Sequence, residues 1–245
     1  MGKTTIAGLM VIRLIANNHR PVLAVDADPN TCLDIALGIS VKKTVGAVRE
    51  EAREIAGKGL SSGISKQQLL ELKIAESLVE NTNFDYIAMG RPEGPGCYCY
   101  ANNVLKEVLG EIAAHYPYVV LDNEAGLENL SRRIVKKVDL LIFVADPSRR
   151  GLDTVLRLHQ LAREMEIKYD RLAIIINRQK RTEFTDEILQ LKTETQSDFL
   201  IGLPENKEIE QVAERGDSFF KLSTDNEIMQ RLDQFLHEVK ITEGK

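Results

Sequence analysis

The 245-residue sequence predicts an α/β fold: a mostly parallel sheet with helices on both of its faces. Short apolar strands alternate with helices along the chain, and this alternation is typical of parallel sheets because each crossover between strands carries a helix. Three strands are continuous apolar runs, as expected of strands covered on both sides: Tyr118–Asp122, Leu140–Ala145 and Leu172–Asn177. The chain can bury one substantial core and has no linker or repeat, so we predict a single domain over residues 1–245.

The individual elements follow from periodicity and from Gly and Pro breaks. Helices are predicted over Ile6–Asn17, Thr31–Leu37, Thr44–Ile55, Ser65–Glu80, Asn102–Ala114, Leu127–Lys137, Leu152–Met165, Phe184–Leu191 and Asn226–Val239. Strands are predicted over Pro21–Asp26, Phe84–Met89, Tyr118–Asp122, Leu140–Ala145, Leu172–Asn177 and Phe199–Leu203. The segment Gly90–Gly96 contains two prolines and three glycines and is predicted to be a loop.

Composition and charge exclude several classes of protein. The net charge of −5 argues against a dedicated nucleic-acid binder, which would carry a basic excess. No apolar run approaches the ~20 residues of a membrane span, and the last helix lacks the basic and bulky apolar face of a membrane-surface helix. The N-terminus has no signal-peptide pattern, and the odd number of cysteines, three, does not form a disulfide framework. We therefore expect a cytoplasmic protein with neither nucleic acid nor membrane as a partner.

The chain begins with Gly2-Lys3-Thr4-Thr5, which leads directly into the first helix. This run matches the second half of the phosphate-binding loop G-x-x-x-x-G-K-[ST]. In such a loop the glycine lets the backbone approach phosphate, Lys3 would reach the β- and γ-phosphates, and the Thr4 hydroxyl would hold Mg²⁺. An ordinary helix start is the alternative interpretation, because the first half of the loop has no counterpart in the sequence.

Polar residues follow the predicted strands where ligands bind to open α/β sheets. Asp26 and Asp28 end the first strand, Asp122 ends the third, and Asn177 ends the fifth. A carboxylate after an apolar strand can hold Mg²⁺, a second can orient water, and an amide suits a purine edge. Each of these aspartates could instead be a helix cap or a turn residue.

Taken together, the segments GKTT, VDADP, VVLDNEAG, IIIN and IGLPEN resemble the deviant-Walker ATPases of the MinD, ParA and nitrogenase iron-protein group. The resemblance runs over essentially the whole chain. Within this group, DADPNTCL and GRPEGPGCYCY look most like the accessory ATPase of nickel carbon monoxide dehydrogenase, the CooC type. The resemblance implies a P-loop fold, ATP and Mg²⁺ as cofactors, a homodimer, and a nickel carbon monoxide dehydrogenase or related metalloenzyme as client.

The resemblance also implies roles for individual residues. Lys3 and Asp28 would be catalytic, with Asp28 activating water, and Asp122 would be linked to Mg²⁺ together with Thr4. The remaining nucleotide contacts would come from the phosphate loop, the second switch, the adenine-reading position and the loop that packs the base: Gly2, Lys3, Thr4, Thr5, Gly126, Asn177, Leu203 and Pro204.

The sequence departs from this group at its start. The group begins with a strand and K-G-G-x-G-K-[ST], whereas this chain has neither the early lysine nor the first glycines nor that strand. We therefore expect the first central strand to be missing from the sheet, through a truncated start, and we expect the chain as written to bind ATP weakly.

The sharpest single feature is the pair Cys97-Tyr98-Cys99 in a Pro- and Gly-rich loop. Thiols two residues apart project to one side of an extended segment and supply half of a tetrahedral soft-metal site. A two-fold dimer would complete four sulfurs, which predicts Ni²⁺ or Zn²⁺ bound between subunits. Two incidental loop cysteines are the alternative, and Cys32 is expected to be a small buried residue.

Three functions remain open at this point. The first is an ATP-dependent metallochaperone that inserts nickel into a carbon monoxide dehydrogenase-type enzyme. The second is a ParA/MinD-like positioning ATPase, and the third is a nucleotide-inactive binding module, favoured by the missing half of the loop. Metal titration distinguishes the first from the second, and ATP turnover distinguishes the first from the third.

Overall fold

The computed structural model describes residues 2–58, 65–90, 110–123 and 137–240. The segments predicted to be helices over Asn102–Ala114 and Leu127–Lys137 fall mostly outside these ranges. The described strands are β1 (Val22–Asp26), β2 (Phe84–Ala88), β3 (Tyr118–Asp122), β4 (Lys137–Ala145), β5 (Lys168–Gln179) and β6 (Phe199–Pro204). The described helices are α1 (Lys3–Ala16), α2 (Leu33–Leu37), α3 (Val45–Lys58), α4 (Lys66–Ala75), α5 (Arg149–Glu164), α6 (Asp186–Thr195), α7 (Lys207–Glu214) and α8 (Glu227–Glu238), with a short 3₁₀ helix at Phe219–Lys221.

The strands form two parallel sheets. In the first sheet the order is β2-β1-β3, and in the second it is β4-β5-β6. All of these pairings are parallel, which confirms the prediction of an α/β fold built on parallel strands. Because the strands are parallel, their carboxyl ends lie at one edge of each sheet, and the loops that follow them meet there.

Helices cover both faces of each sheet, as predicted. In the first sheet Val22 and Ala24 face the cluster that contains α1 and α8, whereas Leu23 and Val25 face the cluster beneath α3 and α4. In the second sheet alternate residues of β5 divide in the same way between the α1 and α8 cluster and the cluster beneath α5 and α6. This alternation follows from the two-residue period of a strand, and it explains why the central strands are continuous apolar runs.

The sheet is interrupted between β3 and β4. Among the described residues, β3 pairs only with β1 and β4 only with β5, although both contribute partly buried residues to the cluster around α1. Val119 of β3 is 42% exposed, whereas the residues of β1 are buried throughout. In the described parts of the chain the two sheets are therefore separate, each with three strands.

The helix ends follow ordinary capping chemistry. Ser65 and Gln68 form a capping box at the start of α4, and Ser148, Asn206 and Asn226 each accept a backbone hydrogen bond at the start of α5, α7 and α8. Gly38 ends α2 in a left-handed conformation with φ of 68°. None of the helices in the described parts of the chain is long and apolar enough to cross a membrane.

Candidate nucleotide site

The N-terminus of α1 lies against the carboxyl edge of the first sheet. Gly2 precedes the helix in a left-handed conformation with φ of 83°, and its carbonyl accepts the amide of Ile6 at 3.0 Å. The first turn of α1 carries no acidic residue, so its positive end is not neutralised by a side chain of its own. Lys3, Thr4 and Thr5 form this first turn, where an anionic ligand would be favoured.

Asp122 is buried at the end of β3, directly beside this turn. Its carboxylate is hydrogen-bonded by the Thr4 side chain and lies within electrostatic reach of Lys3. Burial raises the pKa of Asp122 to about 6, and the neighbouring Asp26 carboxylate adds to the rise, while Thr4 and Lys3 oppose it. The structure thus brings together three of the predicted site residues, Lys3, Thr4 and Asp122.

One oxygen of Asp122 has no hydrogen-bond partner within the part of the chain that the structure describes. Among the described residues, Oδ2 is a buried acceptor left unpaired, in a side chain that is 3% exposed. A buried carboxylate without a partner is costly, and a bound cation would satisfy it. Mg²⁺ takes one or two protein oxygens and keeps water or phosphate as its other ligands, so Thr4 and Asp122 fit this ion. No group of three or more His, Cys, Asp or Glu side chains in the described parts could hold a metal by itself.

Asp26 lies beside Asp122, because β1 and β3 are paired in register at these two residues. Its carboxylate is fully buried and accepts backbone hydrogen bonds from Asp28, Cys32 and Leu33, each at 3.0 Å. Burial raises the pKa of Asp26, and these hydrogen bonds oppose the rise. Asp26 therefore holds the loop that connects β1 to α2.

Asp28 lies on that loop and is half-buried. Its Oδ1 atom accepts the backbone amide of Asn30 at 2.8 Å and the Asn30 side-chain amide at 3.0 Å. Thr31 follows with φ of 45°, a left-handed conformation that is unfavourable for a β-branched residue. The loop is thus held in one conformation by local hydrogen bonds against backbone strain.

Asn177, near the end of β5 in the second sheet, also lies close to the start of α1. A Cβ atom at Gly2 would lie 2.6 Å from Asn177 Nδ2, so a larger residue there would displace this amide, and it would also be strained by the φ of 83°. The Asn177 Oδ1 atom accepts the backbone amide of Arg178 at 3.0 Å, which orients the side chain. The sequence places these two residues 175 positions apart, and the fold brings the amide to the start of α1.

The other two residues that were predicted to contact the base, Leu203 and Pro204, differ in their burial. Leu203 is fully buried in the cluster around α1, whereas Pro204 is half-buried at the end of β6. The preceding carbonyl, that of Gly202, accepts Arg231 Nη1 of α8 at 2.9 Å, which fixes the end of the strand. Pro204 is therefore the residue of this pair that could contact a ligand.

Three of the predicted site residues, Gly126, Cys97 and Cys99, lie outside the described residues. The expectation for Cys32 was wrong, because its side chain is exposed at the start of α2. The backbone amide of Cys32 donates to Asp26 Oδ2 at 3.0 Å, while the residue itself is exposed.

The sequence reasoning missed Tyr86. Its hydroxyl donates to Asp26 Oδ2 at 3.2 Å, and its side chain is fully buried in β2. The available signal was a polar-tipped aromatic residue in an otherwise apolar strand, since a buried tyrosine hydroxyl needs a partner.

Comparisons with known proteins agree with this geometry. The family profile described as AAA domain matches residues 1–174. The chain is 37% identical over 240 residues to the uncharacterized ATP-binding protein MJ0685 of Methanocaldococcus jannaschii, covering 98% of this chain and 94% of that protein. It is 28% identical over 239 residues to the carbon monoxide dehydrogenase accessory protein CooC of Rhodospirillum rubrum, covering 91% and 87%.

Solved structures show the same fold. A ParA family ATPase from Chlorobium tepidum superposes with a TM-score of 0.70 at 18% identity, covering 96% of this chain and 91% of that one. The septum site-determining protein MinD of Pyrococcus horikoshii, complexed with Mg-ADP, superposes with a TM-score of 0.66 at 17% identity, covering 97% and 90%. The chain therefore belongs to the AAA-domain family, and its fold is that of the ParA and MinD ATPases.

Proposed function

We propose that this protein is an ATP-dependent metallochaperone of the CooC type, which inserts nickel into a carbon monoxide dehydrogenase-type enzyme. The single observation that supports the ATPase part best is the buried, unpaired Oδ2 of Asp122 beside Thr4 and Lys3. The similarity to the Rhodospirillum rubrum accessory protein over 91% of the chain supports the client class. The Cys-x-Cys sequence supports the cargo, because paired thiolates suit a soft metal.

In this proposal the α1 N-terminus binds the phosphates of ATP. Gly2 gives the backbone close access, Lys3 neutralises the β- and γ-phosphates, and Thr5 adds a hydroxyl. Asp122 and Thr4 would hold Mg²⁺, which would supply positive charge to the phosphate oxygens. The MinD structure complexed with Mg-ADP supports this choice of nucleotide and ion, since the two chains share a fold.

Asp28 has the role of the residue that orients the attacking water and takes its proton. Its position on a loop fixed by Asp26 supports this role, because a water-positioning carboxylate must be held within hydrogen-bond reach of its water. Gly126 would sense the γ-phosphate. Asn177, whose amide lies close to Gly2, would read the adenine edge, and Pro204, with Leu203 behind it, would pack against the base.

Metal binding would be coupled to the nucleotide through a homodimer. ATP would favour the closed dimer, which brings Cys97 and Cys99 of the two protomers together as a four-thiolate site for Ni²⁺ or Zn²⁺. Hydrolysis would favour the open dimer and release the metal to the client enzyme. This coupling requires ATP to bind the closed dimer more tightly than the open one.

The test is metal analysis of the purified protein with and without ATP, combined with ATP turnover. We expect one nickel per dimer in the presence of ATP, and loss of that metal in Cys97→Ser/Cys99→Ser. Cys32→Ser is the matched control, because this cysteine is exposed but lies outside the pair. Unchanged metal content in the double variant would remove the chaperone proposal, and zinc bound in preference to nickel would change its cargo.

A ParA/MinD-like positioning ATPase is the second candidate, and the TM-score of 0.70 to a ParA family ATPase favours it. The two candidates share ATP hydrolysis and differ in what hydrolysis releases. The second candidate would be supported if the protein binds no nickel and if its ATP turnover does not depend on nickel. Both results should then hold for the intact protein and for the cysteine variant.

A further inference from the structure

The loop between β1 and α2 depends on one buried carboxylate. Asp26 Oδ2 accepts the amides of Cys32 and Leu33 at 3.0 Å, while Oδ1 accepts the amide of Asp28 at 3.0 Å. Both ends of the Asp28–Leu33 segment are therefore tied to a single side chain. Thr31 lies within this segment in a strained backbone conformation. The hydrogen bonds that Asp26 accepts must therefore hold the segment in this conformation.

Asp26 is in turn fixed by Tyr86 of the neighbouring strand. Ala24 is paired with Tyr86, and Asp26 lies two residues further along β1 on the same face. The Tyr86 hydroxyl donates to Asp26 Oδ2 at 3.2 Å, which joins the two strands at the carboxyl end of the sheet. Both side chains are 0% exposed, so water does not compete for this hydrogen bond.

We propose that Tyr86 is a positioning residue for ATP hydrolysis, which fixes the Asp26 carboxylate and through it the loop that carries Asp28. This inference rests on the proposed ATPase function. Tyr86 does not touch the nucleotide in this proposal. It acts because the Asp26 oxygen that accepts its hydroxyl is the same oxygen that accepts Cys32 and Leu33.

Without the hydroxyl, Asp26 would keep its three backbone donors but lose its side-chain donor, so rotation about its Cβ–Cγ bond would be less restricted. Oδ2 would then lose the donor that defines its direction, and the two amides would follow a less well-defined acceptor. The strain at Thr31 would favour relaxation of the loop, and Asp28 would spend less time in its working position. Nucleotide binding would change little, because the phosphate contacts come from α1.

The experiment compares Tyr86→Phe with Tyr116→Phe. Both variants keep the aromatic ring and remove a hydroxyl that donates to a buried or half-buried aspartate, Asp26 in one case and Asp85 in the other. Tyr116 precedes β3, at the opposite edge of the first sheet from the candidate site. The measurements are kcat and KM for ATP, thermal unfolding, and amide hydrogen exchange of Cys32 and Leu33.

For Tyr86→Phe we expect kcat to fall by about tenfold, the size expected for one hydrogen bond to a charged group, with KM changed less than about twofold. Exchange of the Cys32 and Leu33 amides should become faster by a similar factor, while Tyr116→Phe should alter neither kcat nor these amides. A purely structural role would lower the unfolding temperature in both variants and leave kcat and loop exchange unchanged, which would overturn the proposal.

The two proposals can fail separately. If the wild-type protein does not hydrolyse ATP, the proposed function fails, and exchange at Cys32 and Leu33 alone decides whether Tyr86 holds the loop. If the protein hydrolyses ATP and Tyr86→Phe hydrolyses it equally fast, the ATPase assignment stands and the positioning role of Tyr86 is refuted.

Discussion

The two sheets have the same architecture, but different types of side chain lie at the carboxyl ends of their strands. Each has a central strand with one parallel strand on either side, but the first sheet carries Asp26 and Asp122 at its carboxyl ends, whereas the second carries Asn177 near the end of β5 and Pro204 at the end of β6. Buried carboxylates cost folding free energy, whereas a half-buried amide and a proline cost little. The comparison indicates that the strands of both sheets position the side chains, and that the buried carboxylates lie at the carboxyl end of the first sheet, where charged ligands are expected.

The largest effect on ATP hydrolysis is expected from a substitution at the carboxyl end of the first sheet, where the buried carboxylates lie. Asp122→Asn keeps the shape of the side chain and removes the negative charge proposed to hold Mg²⁺, so we expect ATP hydrolysis to fall by about 100-fold or more. Steady-state turnover measured over a range of Mg²⁺ concentrations tests this. Asp85→Asn is the matched control, because Asp85 is also a strand aspartate of the first sheet but accepts from Tyr116 and Asn81, away from the site. Equal losses in the two variants would contradict the assignment of Asp122.

The same substitution should stabilise the nucleotide-free protein. The folded protein holds the Asp122 proton more tightly than the unfolded chain, with pKa values of about 6 and 3.8, so stability is lost as the pH rises between these values. Above pH 6 the full cost, roughly 3 kcal/mol for a shift of this size, is present in the wild type and absent from Asp122→Asn.

Denaturant unfolding of both proteins without Mg²⁺ from pH 4 to pH 8 measures this cost. The stability difference in favour of the variant should grow up to about pH 6 and then stay constant, and added Mg²⁺ with nucleotide should reduce it. A difference that does not depend on pH would show that the pKa of Asp122 is not raised in the folded apoprotein.

An intermediate effect is expected at the end of the second sheet. Asn177→Ala removes the amide proposed to read adenine, so the preference for ATP over GTP in kcat/KM should fall by about tenfold, while kcat for ATP stays within about twofold. Asn83→Ala is the control, since Asn83 precedes β2 and accepts a hydrogen bond from Arg20. A large loss of kcat in Asn177→Ala would mean that this amide serves the phosphate end instead, next to Gly2.

The sequence was informative where burial alone decides structure. The bounds of β3 were predicted correctly, because the apolar run in YVVLD is bounded by Pro117 before it and by Asn123 after it. The strand β5 is longer than predicted, Lys168–Gln179 in place of Leu172–Asn177, because its polar first residues continue to pair with β4 although they are not buried. Backbone pairing of this kind leaves no hydrophobic pattern from which it could be predicted.

The residues of the candidate site could be predicted from the sequence, but their arrangement in space could not. Lys3, Thr4 and Asp122 follow motifs with fixed chemistry, and the structure brings them together. The contact between Asp26 and Tyr86 joins residues 60 positions apart, and it depends on the register of β1 and β2, which short-range patterns do not specify. The contact of Asn177 with Gly2 likewise depends on how the second sheet lies against α1.

The smallest effect concerns the contact between the helices α1 and α8, which link the two sheets. Arg13 forms two hydrogen bonds to Asp233 of α8, at 2.7 and 2.6 Å, and α8 packs on β6 of the second sheet. The pair is partly shielded, with side chains 14% and 32% exposed, so we expect Asp233→Asn to cost about 1 kcal/mol and to lower the unfolding temperature by about 2–4 °C. ATP turnover should not change.

Glu227→Gln breaks an exposed pair with Arg231 within α8 itself and should cost less than half as much. If the two variants are equally destabilised in thermal unfolding, the ion pair between α1 and α8 contributes no more than an ordinary surface pair, and the two sheets are held together by the apolar cluster around α1 alone.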